Sequence, residues 1–509
     1  MSRARLFALL LAPFVLLATF NSAGYRYGAS DQAFYVPAIL DDLDPSLFPR
    51  DSDLIESQAT LTVVDETVAA ADRALPVDLP VLLAGLYVAA LGVLAWGALS
   101  LAGMLYRTSW AAVALLAALT LRHAIAKTGT NTLEGYFHPR QLAFALGILA
   151  MASFLRHGRG CIAGRMPPEF HHGLPGLPAL ALVVCAALVH PTTALWFVVW
   201  LGVSAFVAEP RLRAPLAIAG GAGAIAGVWA LTLGPLQGRL AAMDPEWLAT
   251  LTAKDYLFPL EWPPYAWLVN LGYAPLVIWI HARRRRAGVA VPREGAVVAG
   301  ALSLLLVFAA AVALHPWRIA LAIQLQPART FWMLDFLATV YVVWLLAEGG
   351  PAPARRRAMA AAGIVIALTA ARSAYVAAVR FPERSLAAID IPQSDWGRVM
   401  AWARSSSSQS SHWLADPVHA ARYGTSLRVA GHRDVFVEEI KDTAIGMYSR
   451  PVAMRTRERL QALGHFGTLD APRARALASR YGLDYMVSDR LVDLPVAFRA
   501  GGLTVYRLK

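Results

Sequence analysis

The chain has 509 residues, of which 57% are hydrophobic and only 16% are charged. A soluble globular protein carries roughly 25% charged residues, so this composition excludes an ordinary soluble enzyme and indicates a protein that crosses a membrane several times. The formal net charge of +12 would also suit nucleic-acid binding, but most Lys and Arg residues stand beside apolar runs, where they set the orientation of a membrane protein. The two cysteines, Cys161 and Cys185, offer neither a disulfide framework nor the spacing of a metal site.

The first apolar run, residues 6–20, follows Arg3 and Arg5. It is either a cleaved signal peptide, with residues 21–23 as its cleavage site, or a retained membrane helix. We expect the retained helix. Both interpretations place the next segment on the outer side of the membrane.

A polar, acidic segment, residues 24–78, separates the first two apolar runs, and we call it the first loop. Apolar residues at helical spacing predict an amphipathic helix over residues 36–43. Ser30 would cap this helix, which places Asp31 in its first turn, where the helix dipole favours a negative charge. A second amphipathic pattern covers residues 61–75. We therefore predict two short helices beside the membrane, with a carboxylate just past the first span.

Apolar runs near the 20 residues that a membrane helix needs recur along the first three quarters of the chain. We predict about eleven spans, near residues 5–23, 79–104, 109–125, 140–156, 176–190, 192–208, 214–235, 264–281, 295–314, 329–348 and 358–378. The fifth ends at His190, directly before Pro191 and the sixth. This spacing predicts a tight hairpin of short helices, which is either a helix pair packed in the interior or the wall of a cavity open to the outer face.

The loop charges predict the orientation. With the N-terminus in the cytoplasm, the strong basic clusters, residues 156–165, 283–286 and 355–357, all fall on the cytoplasmic side, while most acids fall outside. This distribution obeys the positive-inside rule. An odd number of spans places the C-terminal part outside, so we expect a multi-pass protein of the bacterial inner membrane with a periplasmic C-terminal domain.

After residue 380 the composition becomes that of a soluble domain. The patterns predict helices over residues 395–404 and 471–481 and strands over residues 412–415, 434–438, 485–488 and 503–508. The fold class we predict is therefore an all-α polytopic membrane domain, residues 1–380, followed by a small α/β domain, residues 381–509.

Polar side chains at the outer ends of the spans are the candidate functional groups, because such groups are costly near a membrane interior. A carboxylate can take the proton of an attacking hydroxyl, and arginines can hold a phosphate and stabilise the charge of a leaving group. The candidates are Asp31, Tyr35, Glu134, His138, Arg140, His190, Gln326 and Arg329.

Each of the main candidates also has a plainer interpretation. Arg140 and Arg329 would serve as interface anchors, and Glu134 as a partner of Arg140 or Arg122. His190 would serve as a hydrogen-bonding group at a helix end. Asp31 would be a helix-terminal charge.

This layout resembles the GT-C superfamily of membrane-embedded glycosyltransferases, in particular its uncharacterised bacterial members. The likeness rests on the topology, on the first loop with its two helices and early acid, and on a C-terminal part with Tyr481-Gly482-Leu483-Asp484-Tyr485-Met486-Val487 and a closing strand over residues 503–508. The paired acids that some members carry are absent, since Gln32 follows Asp31. Asp41-Asp42 forms such a pair further along, so the choice of acid stays open.

The resemblance implies an inverting transfer of a sugar from a polyprenyl-phosphate donor to a glycan, lipid or protein acceptor outside the membrane. Asp31 would be the catalytic base. Arg329 and Arg140 would hold the lipid phosphate, with His138 or His190 as an auxiliary donor. The other candidate residues would contact substrate. The acid-rich loop could hold a divalent metal, although nothing requires one, and we expect no nucleic-acid partner.

Two other functions fit the same residues. A transporter or flippase for a lipid-linked sugar would use the cationic cavity without a base, although the internal repeats common in transporters are not evident. A non-catalytic assembly protein would use its outer domain to bind a partner.

Overall fold

The computed structural model describes residues 2–123, 125–160, 176–352 and 354–509. The described chain is mostly helical, with a small mixed sheet near its C-terminal end. Cys161, and most of the predicted basic loop around it, lie outside the described residues. The helices up to residue 380 are α1 (Arg3–Asn21), α2 (Gln32–Leu43), α3 (Ser52–Ala59), α4 (Val64–Ala74), α5 (Leu79–Leu105), α6 (Ser109–Leu119), α7 (Pro139–Gly160), α8 (Leu177–Val189), α9 (Pro191–Ala208), α10 (Arg213–Thr232), α11 (Pro245–Leu251), α12 (Pro264–Arg286), α13 (Glu294–Leu314), α14 (Ala320–Gln324), α15 (Thr330–Ala347) and α16 (Arg355–Tyr375).

Every predicted span falls on one of these helices. Two of the helices are short: α6 has 11 residues and α8 has 13. The number eleven and the orientation in the membrane therefore remain predictions. In the described chain, seven helical segments are long and apolar enough to cross a membrane: Arg3–Asn21, Leu79–Leu105, Pro191–Ala208, Pro210–Thr232, Glu294–Trp317, Ala320–Ala347 and Arg355–Arg380.

Helices α15 and α10 mark the centre and the edge of the bundle. Nearly every residue of α15 is buried, and its Trp332 stacks on Phe144 with 4.0 Å between ring centroids. None of the residues of α10 is buried; Ile218 is 73% and Ile225 is 74% exposed. An apolar helix exposed on all sides is unfavourable in water, so α10 indicates that a lipid environment surrounds the bundle.

The hairpin predicted at His190 is confirmed. This one residue ends α8 and begins α9, and its ring nitrogen Nδ1 accepts a hydrogen bond from the backbone N–H of Thr193 at 3.3 Å.

The basic cluster 283–286 does more than mark a loop. Helix α12 runs through it to Arg286, and Arg284 is fully buried. Its Nε donates to Oε1 of Glu294 at 2.6 Å, and its Nη2 donates to the backbone carbonyl of Leu105 at 3.1 Å. Arg284 therefore joins α12, α13 and α5.

The first loop holds three helices, α2, α3 and α4, so the prediction of two was wrong. Ser30 does not cap α2, because its backbone lies in the left-handed region at φ 51°. Asp31 takes the N-cap position but makes no capping bond. Helix α4 begins at Val64, three residues after the predicted pattern starts. The missed helix, α3, is short and carries little apolar surface of its own, so its sequence pattern was weak.

The C-terminal domain, residues 381–509, carries a five-stranded sheet in the order β4-β3-β5-β7-β6. Strands β4, β3 and β5 are parallel, while β7 is antiparallel to both β5 and β6. Both predicted helices and all four predicted strands are present, although β4 is shorter than expected. The elements here are β2 (Ala387–Ala388), α17 (Asp395–Ser406), β3 (His412–Leu414), α18 (His419–Tyr423), α19 (Leu427–Gly431), β4 (Asp434–Val435), α20 (Glu439–Gly446), α21 (Arg450–Leu463), α22 (Ala471–Tyr481), β5 (Tyr485–Ser488), β6 (Val496–Ala500) and β7 (Leu503–Arg507).

Two contacts fasten the first loop to the C-terminal domain. A short strand in the loop, β1 (Tyr25–Arg26), pairs in parallel with β2. Arg428 is fully buried: its Nε donates to Asp51 of the first loop at 2.7 Å, and its Nη1 donates to Asp442 of α20, also at 2.7 Å. The division at residue 380 remains a prediction, and the first loop packs on both sides of it.

Candidate functional site

Five separate segments of the chain meet around the carboxylate of Asp31. They are the start of α2, the second loop (residues 125–138) before α7, the α8–α9 hairpin, the 3₁₀ turn Pro327–Arg329 before α15, and α20 of the C-terminal domain. Each is a helix end or a loop, where side chains are free to converge on one point.

Asp31 lies between two donors. Nζ of Lys441 donates to its Oδ1 at 2.7 Å, and Nε2 of His138 lies 3.2 Å from its Oδ2. The Asp31 side chain is 28% exposed and that of His138 only 2%. Burial alone would raise the pKa of Asp31, but Lys441, His138 and Arg140 outweigh burial and hold this pKa well below its usual range. Asp31 is therefore ionised at neutral pH.

His138 holds Asp31 in place, and the His138 ring does so in one defined tautomer. The backbone N–H of Arg140 donates to Nδ1 of His138 at 3.1 Å. Burial first, and then the charge of Arg140, lower the pKa of His138 to about 4. A neutral ring with an occupied Nδ1 carries its proton on Nε2, so we assign Nε2–H as the donor to Asp31.

Arg140 is tied to a neighbouring acid. Its Nη2 donates to Oε1 of Glu134 at 3.0 Å, and both side chains are more than nine-tenths buried. The plainer interpretation of Glu134, as the partner of Arg140, matches this contact. Arg140 still contributes positive charge, since it lowers the pKa of both Asp31 and His138.

Three rings surround His138. The ring centroid of Tyr35 lies 5.4 Å away, that of Tyr136 lies 5.8 Å away, and that of His190 lies 6.2 Å away. With Nδ1 accepting from Thr193, a neutral His190 keeps Nε2–H as a donor.

Arg329 is the cation without a fixed partner. No hydrogen bond or ion pair joins its guanidinium to another group in the described chain, and its Nε is buried without a hydrogen-bond partner. Its neighbour Gln326 has a strained backbone at φ 51°. Nε2 of Gln326 donates to the hydroxyl of Tyr448 at 2.9 Å, while its Oε1 is also unpaired. Buried polar groups are usually hydrogen-bonded, so these two unpaired groups are suited to contact a polar ligand.

Gln32 explains why no second acid follows Asp31. Its Oε1 accepts from the backbone N–H of Gly28 at 2.7 Å, and its Nε2 donates to the carbonyl of Phe137 at 3.4 Å. A carboxylate could not make the second bond. Gln32 therefore joins the first and second loops and positions Asp31 against His138.

The other candidate acids, Asp41 and Asp42, lie at the opposite end of α2. At 1.5 Å per residue, they are about 15 Å along the helix from Asp31. Burial, followed by neighbouring acids, raises the pKa of both side chains. Asp31, and not this pair, lies among the histidines and arginines of the site.

Three residues that contribute to the Asp31 site were not among the candidates from the sequence: Lys441, Tyr448 and Tyr256. Burial raises the pKa of both Tyr448 and Tyr256, and the positive charge of Arg329 offsets part of that rise. One signal for Lys441 was available. Only four of the 46 basic residues are lysines, and one of them stands in the C-terminal domain just after two acids. The tyrosines gave no signal.

A divalent metal does not fit Asp31 in this arrangement. Lys441 and His138 already contact both carboxylate oxygens, and two arginines add positive charge. In the described chain, one cluster of three acidic residues brings its carboxylate oxygens within 4.8 Å of one another: Asp42, Asp65 and Glu66. It lies at the far end of α2, and Glu66 is exposed, so we draw no metal-dependent step from it.

Comparisons with known proteins give little beyond this geometry. No protein-family model matches the chain. No curated protein matches it either. Among solved structures, it is similar to the apo form of the Archaeoglobus fulgidus oligosaccharyltransferase, with a TM-score of 0.47 over 95% of this chain and 69% of that chain, at 12% identity. A likeness at this score is too weak to argue from, so function has to be inferred from the site itself.

Proposed function

We propose that this protein is a membrane glycosyltransferase that moves a sugar from a polyprenyl-phosphate donor to an acceptor outside the membrane. One observation carries the proposal: an ionised, partly exposed carboxylate, Asp31, shares a basic site with a guanidinium, Arg329, that lacks a partner. Such a site has a group for the attacking hydroxyl and a group for the leaving phosphate.

Asp31 receives the acceptor. A carboxylate offers about four lone-pair positions, so each of its oxygens can accept one more hydrogen bond beside those from Lys441 and His138. Its low pKa makes Asp31 a weak base. It takes the proton late, when the new glycosidic bond has largely formed and the hydroxyl has become strongly acidic.

Arg329 receives the lipid phosphate. A guanidinium can bind two phosphate oxygens at once, and among the described residues no acid forms an ion pair with Arg329. His190 adds Nε2–H as an auxiliary donor. Arg140 stays paired with Glu134 and contributes charge, which stabilises the leaving group from a short distance.

The reaction is a single displacement. The acceptor oxygen bonds to the anomeric carbon while the bond from that carbon to the phosphate oxygen breaks. The proton passes to Asp31 and the electron pair stays on the polyprenyl phosphate. The configuration at the anomeric carbon inverts.

The test separates binding from chemistry. Purified protein in nanodiscs is titrated with undecaprenyl phosphate, and transfer is assayed in membranes with a panel of undecaprenyl-phosphate hexoses. Asp31→Asn should keep lipid binding and lose transfer by about 100-fold or more. Arg329→Gln should lose lipid binding. Asp41→Asn, on the same helix, is the matched control and should keep both.

Full transfer by well-expressed Asp31→Asn would remove Asp31 from its role. If both Asp31 and Arg329 variants retained function while a chain ending at residue 380 lost it, the non-catalytic assembly protein would be the better account. Movement of the lipid-linked sugar across the membrane that survives Asp31→Asn would favour the flippase.

A further inference from the structure

A cavity lies at the C-terminal end of α2, between the first loop and the C-terminal domain. Its volume is about 480 Å³, within the roughly 300–1,000 Å³ of small-molecule sites. One wall is apolar and comes from Leu40, Leu43 and Leu47 of the first loop. The facing wall is polar and basic and includes Arg404, His432 and Arg433.

The two arginines differ in their freedom. Arg433 is fixed: its Nε donates to Oγ of Ser407 at 3.1 Å, and its Nη2 donates to the carbonyls of Arg404 and Ser407 at 3.0 and 2.9 Å. The side chain of Arg404 is exposed, and in the described chain it makes neither a hydrogen bond nor an ion pair. The cavity therefore has one guanidinium held by hydrogen bonds, Arg433, and one that is free to turn towards a ligand, Arg404.

His432 adds a neutral donor between these charges. It is the C-cap of α19, and its backbone takes the left-handed conformation, at φ 53°, that commonly ends a helix. Burial, together with the charges of Arg404 and Arg433, lowers its pKa to about 4. The ring therefore adds no charge of its own at neutral pH.

The cavity's one acid does not neutralise the arginines. Oδ1 of Asp44 accepts from the hydroxyl of Ser46 at 2.6 Å, and its Oδ2 accepts from Nε2 of Gln409, also at 2.6 Å. These bonds lower the pKa of Asp44, so it keeps its negative charge, and the lining carries two arginines against one carboxylate.

This cavity is distinct from the Asp31 site. Leu40 follows Asp31 by nine residues, or about 14 Å along α2, and the two sites share no residue. A ligand here would contact the first loop and the C-terminal domain together.

We propose that this cavity binds an anionic saccharide, with its carboxylate or phosphate between Arg404 and Arg433 and a sugar face against the leucines. The volume exceeds what a bare inorganic anion fills, and the lining is apolar on one side and rich in donors on the other. A sugar carrying one negative group matches both. This inference does not depend on the chemistry proposed for Asp31.

Calorimetry on the purified full-length protein in nanodiscs tests it. Glucuronate and glucose 1-phosphate are the probes for the carboxylate and the phosphate form, with glucose and inorganic phosphate as controls. At least one acidic sugar should bind saturably. Arg404→Gln should weaken that binding at least tenfold. Arg398→Gln, also on α17 but paired with Asp395 at 2.6 Å, should leave it unchanged. Arg329→Gln, which removes the proposed phosphate contact of the Asp31 site, should also leave it unchanged.

Three outcomes would overturn the proposal. Neither acidic sugar binds; or Arg404→Gln binds as tightly as the wild type; or inorganic phosphate binds as tightly as glucose 1-phosphate, which would leave no role for the sugar. Loss of binding in Arg329→Gln would place the ligand in the Asp31 site and would also contradict the inference.

Discussion

A lysine from the C-terminal domain is the largest of several influences that keep Asp31 ionised. Lys441 lies 2.7 Å from the carboxylate and is the strongest influence holding its pKa down against burial. Burial penalises the charged form, so without this cation the carboxylate would become harder to ionise. The protonation state of the proposed base is therefore set by a residue 410 positions away in the chain.

We expect Lys441→Met to shift the acid limb of the pH–activity profile to higher pH. A depressed pKa keeps Asp31 ionised as the pH falls, and removing the cation raises that pKa, so transfer at pH 5 should drop relative to transfer at pH 8. The readout is transfer rate from pH 4 to 9. Lys127→Met, which removes a lysine paired with Asp255, is the control and should keep the wild-type profile. Superimposable profiles for wild type and Lys441→Met would contradict the role assigned to Lys441.

At the scale of elements, the first and second loops approach each other so closely that one position admits only glycine. A Cβ at Gly135 would lie 2.5 Å from the backbone oxygen of Gly24 and 3.0 Å from that of Ser22. The carbonyl of Gly135 also accepts from the backbone N–H of Arg26 at 2.8 Å. This contact fixes the second loop, and with it His138, against Asp31.

We therefore expect Gly135→Ala to push the second loop away and to cost about 1–3 kcal/mol, as overpacking typically does. The displaced second loop would strain the contact between Asp31 and His138. The rate of transfer should therefore fall together with the midpoint of thermal unfolding. Gly202→Ala on α9, where a Cβ meets nothing within 4 Å, is the matched control and should be neutral. A Gly135→Ala protein with unchanged midpoint and unchanged transfer would show that the two loops can separate freely.

At the scale of the molecule, a buried ion network joins the first loop to the C-terminal domain. Asp51 is fully buried and accepts from Nε of Arg428 at 2.7 Å, while Nη2 of Arg455 lies 3.4 Å from its Oδ1. Burial would raise the pKa of Asp51, but Arg428, Arg455 and Arg459 lower it to about 2. The network holds α20, and hence Lys441, over the Asp31 site.

Asp51→Asn should lower the free energy of unfolding by about 3–5 kcal/mol, since it removes the buried carboxylate that Arg428, Arg455 and Arg459 share. The folded-state pKa of about 2 lies below the unfolded value of about 3.9. The stabilisation is therefore present above pH 4 and is lost as the pH falls towards 2. Thermal unfolding between pH 3 and 7 checks both points, with exposed Asp53→Asn as the control. Equal midpoints for the two variants would mean that the network adds no stability.

The sequence by itself determined what depends on local composition and periodicity. Each apolar run became a helix, because a run of about 20 apolar residues has few alternatives in a membrane. The strands of the C-terminal domain followed their alternating patterns. Asp31, His138 and Arg329 were identifiable because charged groups next to apolar runs are rare and costly.

Only the tertiary structure decided which of these groups meet. The contact of Asp31 with Lys441 and the pairing of Asp51 with Arg428 join residues whose spacing in sequence carries no periodic signal. Ser30 failed as a cap because the turn at Gly28 and the approach of the second loop fixed its backbone. Long-range packing, rather than local propensity, sets the charge of Asp31 and leaves Arg329 free.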